Sequence, residues 1–331
     1  MRRRRSSPTI VGMRTSPAEP APRERDLRIE ELRIPGGDLV ARFAPEAGMI
    51  GCSLRHHGQE LLGILGTIDG YLERGTVFGI PLLHPWANRL GDWSYSVAGR
   101  AVRLDRASPL LHGDAHCLPI HGAVAAGSDW RVVATGADEH LAWLDAELDW
   151  AAHADLFGVF PFAHRVSIAV RLRRDVLRIA TTVHATGDVP VPLAFGFHPY
   201  LAPPGAARER WTVELPALTH LALDGLGLPT GAREPRPAER FALGRRTFDD
   251  LYALERGDAR FSVSDGVRRV VVSYETGYGY AQIFAPPDQA VICFEPMTAP
   301  VDALRSHDGL AFAAPGTSTT ATFAIGVESA A

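Results

Sequence analysis

The sequence predicts an all-β fold, a large antiparallel β-sandwich. Short segments alternate apolar and polar residues with the period of two that turns one strand face inward: Arg165 to Arg173 (RVSIAVRLR), Leu177 to Val183, Arg269 to Tyr274 and Thr319 to Val327. Glycine and proline, 32 and 25 in number, punctuate the gaps between such segments. No segment keeps a helical apolar period of about 3.6 residues beyond about two turns. Strands do not alternate with helices, as a parallel sheet would require, and no repeat of fixed length occurs.

Taken in order, residues 1–25 open with Met1 and four arginines and continue rich in Ser, Pro and Arg. Too little apolar surface is present to bury, so a disordered tail is expected. No apolar stretch follows the arginines as a secretory signal would need, and Met13 offers an alternative start. From Leu27 the strand pattern begins, and residues 26–331 are expected to form a single domain. Trp130 to Ala134, Leu141 to Leu148, Trp211 to Leu215 and Ala290 to Phe294 are further candidate strands. Residues 225–240 (GLGLPTGAREPRPAER) read as a long surface loop rather than a domain boundary, because strand patterns continue on both sides. At 331 residues the chain is about three times the length of an immunoglobulin-type sandwich of about 100 residues, so its sheets should be large.

Composition narrows the chemistry. The chain is 46% apolar and 22% charged with a net charge of -4, so nothing draws it toward nucleic acid. No apolar run approaches the roughly 18 residues of a membrane helix. All 34 basic residues are arginine, which excludes a Schiff-base lysine and a phosphate-loop lysine. Asn88 is the only asparagine. Cys52, Cys117 and Cys293 are too few and too scattered for a disulfide framework, and a reducing, cytoplasmic setting is the simplest fit.

Four segments set reactive side chains beside Gly, Pro and aromatic residues. In Gly79 to Leu90 two prolines and a tryptophan stiffen the approach to Asn88-Arg89, whose planar amide and guanidinium suit vicinal hydroxyls. An arginine paired with a nearby acid and an asparagine in a turn would account for the same dipeptide without a ligand. In Leu118 to Gly122, His121 reads equally as a core or a site histidine. His112, His116, Cys117 and His121 crowd together, but their spacing matches no zinc pattern and no metal is expected. His198, flanked by Phe197, Pro199 and Tyr200, is a candidate proton carrier near neutral pH, or a packed strand-end histidine. Val291 to Pro296 leads two aliphatic residues, a cysteine and a phenylalanine into Glu295. A carboxylate ending so apolar a strand is costly unless hydrogen-bonded or functional, and burial would make it a usable base. A salt bridge at the strand end is the plain alternative. Asp249 and Asp250, after a basic pair, form a weaker fifth element that most often marks a turn.

In this order the segments resemble the aldose 1-epimerase family, over about residues 30–327. Asn88-Arg89 is similar to that family's Asn-Arg pair, His121-Gly122 to its His-Gly, and His198-Pro199-Tyr200 to its His-x-Tyr. Asp249 to Tyr252 is similar to its Asp-x-x-aromatic segment and Glu295-Pro296 to its Glu-Pro. The resemblance implies a galactose mutarotase-like supersandwich with its site on a concave sheet face. It implies that Glu295 takes the proton from the anomeric hydroxyl and that His198 protonates the ring oxygen. Arg89, His121, Tyr200 and Asp249 would bind or orient a hexose such as glucose or galactose, and Asn88 would position them. No cofactor is implied. His84-Pro85-Trp86 stands where galactose mutarotases carry Gly-Arg-x, and Leu201-Ala202-Pro203 follows where they carry Phe-Asn-Leu, so the sugar stays open. A hexose-6-phosphate 1-epimerase on the same fold, with Arg74, Arg89 or Arg305 meeting the phosphate, and a non-catalytic sugar-binding protein are the alternatives.

Overall fold

The structure, a computed structural model, describes residues 27–63, 66–74, 77–123, 130–255 and 258–330, with only the backbone for Arg74. The expected tail, residues 1–25, and the Arg74 side chain lie outside them.

Two antiparallel sheets form the sandwich. One has nine strands and includes the most regular alternating segments, His164–Arg173, Val176–Ala185, Arg268–Thr276 and Ser318–Ser329. Burial in His164–Arg173 switches at every residue, as the sequence alternation requires. The second sheet has eight strands, and its path runs Pro229–Arg236, Leu218–Leu223, Phe248–Leu254, Tyr280–Ala285, Ile292–Met297, Gly196–Phe197, Leu82–Leu83. Tyr200–Leu201 also pairs with Ile292–Met297. A four-stranded sheet from Glu30–Leu32 to Gln59–Glu60 adds to the N-terminal side. Helices are short, Ile68–Arg74 and Ala154–Val159 being the longest.

The core fills the space between the sheets. Phe261 of the nine-stranded sheet stacks on Phe294 of the other at 5.4 Å, and Phe323 meets Phe197 at 4.9 Å. Each such fully buried ring contributes about 1.5–3 kcal/mol by leaving water. Because Phe294 points into this core, its strand neighbours Cys293 and Glu295 must point to the opposite, outer face.

The expected loop at 225–240 is corrected. Pro229–Arg236 is a strand paired with Leu218–Leu223, and Glu239–Ala242 pairs with Thr212–Leu215 in the other sheet. Every residue of Pro229–Arg236 is exposed, so it buries no apolar side to leave an alternating trace. Its ladder is held by backbone hydrogen bonds, and its prolines sit where an edge strand tolerates them.

Candidate functional site

The outer face of the eight-stranded sheet carries the polar cluster, and register decides its membership. Leu251 stands opposite Gln282 and Gln282 opposite Glu295, so the three form one row across the sheet. The neighbouring row on the same face holds Asp249, Phe284, Cys293 and Tyr200. Gln282 links the rows, its Nε2 donating to Asp249 Oδ1 at 2.6 Å. Leu83, Ala87, Leu251, Met297 and Val301 pack together as an apolar floor beside them.

Two expectations about position change here. Glu295 lies inside the strand Ile292–Met297, not at its end, since Pro296 stays in the ladder opposite Ala281. Proline removes one donor but keeps an extended backbone. Asp249 lies in the strand Phe248–Leu254 rather than in a turn.

His198 sits between the short strands Gly196–Phe197 and Tyr200–Leu201, and its backbone N–H donates to Pro81 O at 3.2 Å. Its Nε2 lies 3.1 Å from Glu295 Oε1, and both side chains are almost fully buried. Tyr200 Oη is 3.3 Å from the same Nε2, but the two rings are parallel to 4° with centroids 4.2 Å apart. Tyr200 thus supports His198 by stacking, with its hydroxyl against the same Nε2 that Glu295 approaches.

Burial dominates the electrostatics. It pushes the Glu295 carboxyl well above its ordinary range, helped by Asp249 and opposed by Arg89. It pushes the His198 imidazole well below its ordinary range, helped by His121. Both groups therefore favour their neutral forms. This corrects the expectation of an ionised base beside a protonated acid in the ligand-free site: desolvation is the largest influence on each group and disfavours both charged forms.

The second wall comes from two irregular segments tied to each other. Asn88 is left-handed at φ 55°, a conformation that asparagine tolerates better than most residues. Its Oδ1 accepts from Arg89 N at 2.9 Å and its backbone carbonyl accepts from His121 N at 2.8 Å. His121 and Gly122 are also left-handed, at φ 65° and 69°. A Cβ on Gly122 would lie 2.3 Å from the His84 carbonyl oxygen, so only glycine fits this approach. The fold thereby sets the His121 ring at 80° to that of His198, with centroids 5.5 Å apart. Arg89, nearly buried, donates from Nε to Asp114 Oδ2 at 2.9 Å and from Nη1 to Gly227 O at 3.4 Å.

The structure thus groups Glu295, His198, Tyr200 and Asp249 on one sheet face, with His121 beside His198 and with Asn88 and Arg89 tied to it. Sequence reading missed Gln282 and Asp114. A lone amide within the apolar run Ala281 to Phe284 was a usable signal for the first. Nothing near Asp114 announced the second. Asp114 also accepts backbone N–H groups from His116 and Leu118, which shapes the histidine-rich segment as a turn. Among the described residues no group of three or more His, Cys, Asp or Glu side chains is placed to hold a metal ion. A cleft of about 1210 Å³ runs along the hairpin Ser94–Val97 and Arg100–Arg103 beside Arg305, and none of the site residues above lines it.

Fold and site define an all-β protein with a buried carboxyl–imidazole pair on the outer face of a sandwich sheet. The chain belongs to the aldose 1-epimerase family, whose profile matches residues 52–326. A galactose mutarotase-like protein from Clostridium acetobutylicum shares the fold with a TM-score of 0.78 at 20% identity, covering 92% of this chain and 100% of that one. A Synechocystis protein superposes with a TM-score of 0.76 at 22% identity, covering 95% and 100%. A galactose 1-epimerase from Lactobacillus acidophilus does so with 0.70 at 14% identity, covering 92% and 100%. At these identities the likeness is one of fold. No curated protein sequence matches the chain.

Proposed function

We propose that the protein interconverts the α and β anomers of a free aldose, with Glu295 as base and His198 as acid. The observation that carries this reading is the buried contact of 3.1 Å between His198 Nε2 and Glu295 Oε1. Neutral and ionised forms of that pair differ only by the transfer of one proton from the carboxyl to the imidazole. Sugar binding replaces the contact with the anomeric hydroxyl and the ring oxygen. Ionised, Glu295 accepts the proton from O1 while His198 gives its proton to O5; the C1–O5 bond breaks and C1=O1 forms. The open aldehyde rotates about its neighbouring bond, and the reverse transfers close the ring on the other face. No electrons leave the sugar and no group departs, so the chemistry needs no cofactor.

Glu295 Oε2 and Gln282 Oε1 are buried acceptors with no hydrogen-bond partner among the described residues, and sugar hydroxyls are suitable donors for them. Arg89, His121 and Asp249 orient the ring, and Asn88 and Tyr200 hold Arg89 and His198 in place. Arg89 and Arg305, two arginines that a sugar phosphate would call on, are already paired with Asp114 and Asp302, which favours a free sugar such as glucose or galactose. Polarimetry on a panel of free and phosphorylated aldoses tests the reading. Accelerated mutarotation of a free sugar, lost in Glu295→Gln, is the expected result; saturable binding without acceleration would leave a sugar-binding protein.

A further inference from the structure

Beside His121, and outside the acid–base pair, lies a narrow pocket of about 20 Å³. Tyr71, His112 and His121 supply its polar lining, and the rest is Gly122 and aliphatic side chains. Each of the three carries one buried polar atom with no hydrogen-bond partner among the described residues: Tyr71 Oη, His112 Nε2 and His121 Nδ1. Tyr71 is only 1% exposed and comes from the helix Ile68–Arg74, an element that contributes nothing to the sheet site. An isolated buried orphan of this kind costs about 1–3 kcal/mol. Three of them around one cavity point to a shared partner rather than to three separate penalties.

We propose that Tyr71 and His112 hold one water molecule against His121 and so fix the tautomer in which His121 meets the sugar; this rests on the reading of His121 as a substrate-orienting residue. The cavity is of the right size, because one ordered water needs roughly 10–15 Å³ and two to four polar partners. The hydrogen count also closes. Tyr71, a phenol, donates its O–H to the water. The water then has two hydrogens to give, and the two ring nitrogens are two acceptors. Burial keeps both imidazoles neutral, lowering His112 and bringing His121 down to about 3, so both can accept. With Nδ1 accepting from the water, His121 carries its single proton on Nε2. That nitrogen is then a donor to a sugar oxygen and cannot serve as a base. Tyr71 is thus a positioning residue: it acts on the substrate only through His121, and it adds a rule of specificity, since the sugar must present an acceptor there.

The test uses the sugar-free protein, so its result does not depend on whether the chain turns over anomers. Long-range ¹⁵N–¹H spectra of histidine-labelled protein report which His121 nitrogen is protonated. The wild type should show one tautomer, protonated on Nε2, and Tyr71→Phe should show a mixture. Tyr71→Phe should also lose about 1–2 °C in Tm, as expected for the loss of one hydrogen bond in a chain of this length. Removing a truly unpartnered hydroxyl would instead raise Tm. A wild-type Nδ1–H tautomer, an unchanged tautomer in Tyr71→Phe, or a melting temperature at or above wild type each overturns the proposal. If Tyr71→Phe does not fold, the wild-type spectrum alone decides.

Discussion

His198 and Glu295 approach to 3.1 Å through different backbone contexts, one between two short strands and the other inside the strand Ile292–Met297. The polar face of the sheet is shut against water at this point, so burial favours the neutral form of each group. Such an arrangement stores chemistry at the expense of stability, because a carboxyl held above its ordinary range resists ionisation only while the protein is folded.

That relation gives opposite signs for activity and stability in Glu295→Gln. Turnover should fall by about 100–10,000-fold, the worth of a positioned proton-transfer group. Stability should change the other way as pH rises. Below the ordinary carboxyl value of 4.5 Glu295 is protonated in both folded and unfolded chains and costs nothing. Above it the unfolded chain gains by ionising and the folded chain does not, so wild type loses stability relative to Glu295→Gln. Urea melts of both proteins from pH 4 to pH 8 should diverge, with the variant gaining on wild type at high pH. Parallel curves would mean that the Glu295 carboxyl is not raised.

Arg89 leads to a second prediction. Its Nε is held by Asp114 and its side chain is almost enclosed, so the direction of the guanidinium depends on that acid. Asp114→Asn should raise KM for the sugar about 3–30-fold, with kcat changed less, because a charge-assisted hydrogen bond of about 1.5–3 kcal/mol is weakened. Arg89→Lys should do at least as much, since lysine has no planar fork to replace the lost geometry. Wild-type kinetics in both variants would make the pair purely structural.

The backbone of the second wall makes a third. At Gly122 a new Cβ would strike the His84 carbonyl at 2.3 Å, and no side chain is available to yield. Gly122→Ala should destabilise by at least about 2 kcal/mol. Asn88→Gly keeps the left-handed φ and loses only the Oδ1 bond to Arg89, so its cost should stay near 1 kcal/mol. Chemical denaturation of the two variants side by side tests the ordering, and a milder Gly122→Ala would contradict it.

The sandwich was legible because strands with one buried face must alternate, as His164–Arg173 does at every position. Pro229–Arg236 escaped because a fully exposed edge strand has no inward residues to mark it. Of the site, Glu295 stood out as a charge in an apolar run, and His198 by its aromatic setting. Asn88, the single asparagine of the chain, occupies a left-handed position and caps its own neighbour, while Arg89 does pair with an acid. Those features serve the backbone, and the site is assembled on them. Gln282, Asp114 and Tyr71 were not assigned because their relevance depends on cross-strand register and on packing between distant segments, which local pattern does not encode. Burial likewise inverted the expected charge state of the pair, since desolvation depends on the whole surrounding fold.

A fourth prediction concerns acid sensitivity and lies beneath the second wall. His84 and His164 are both buried, with their Nε2 atoms 2.9 Å apart, in a box of Trp150, Phe160 and Phe195. His164 Nδ1 donates to the Phe162 carbonyl at 2.6 Å, so its Nε2 must be the acceptor and His84 Nε2–H the donor. Burial lowers both imidazoles, His84 with the added influence of His164, and His164 to about 4 despite the opposing pull of the Phe162 carbonyl and of Asp149. An unfolded histidine takes its proton near pH 6.5, whereas folded His164 refuses it until about pH 4. Stability from this group is therefore complete above pH 6.5 and is lost progressively as pH falls to 4. In that window each such histidine adds about 1.36 kcal/mol of lost stability per pH unit. Replacing His164 with glutamine removes one proton from the count, so the slope of unfolding free energy against pH between 6.5 and 4 should become shallower by about that amount, whatever the intercept does. Equal slopes for wild type and His164→Gln would show that His164 titrates alike in the folded and unfolded chains, and the buried imidazole pair would then not be a source of acid lability.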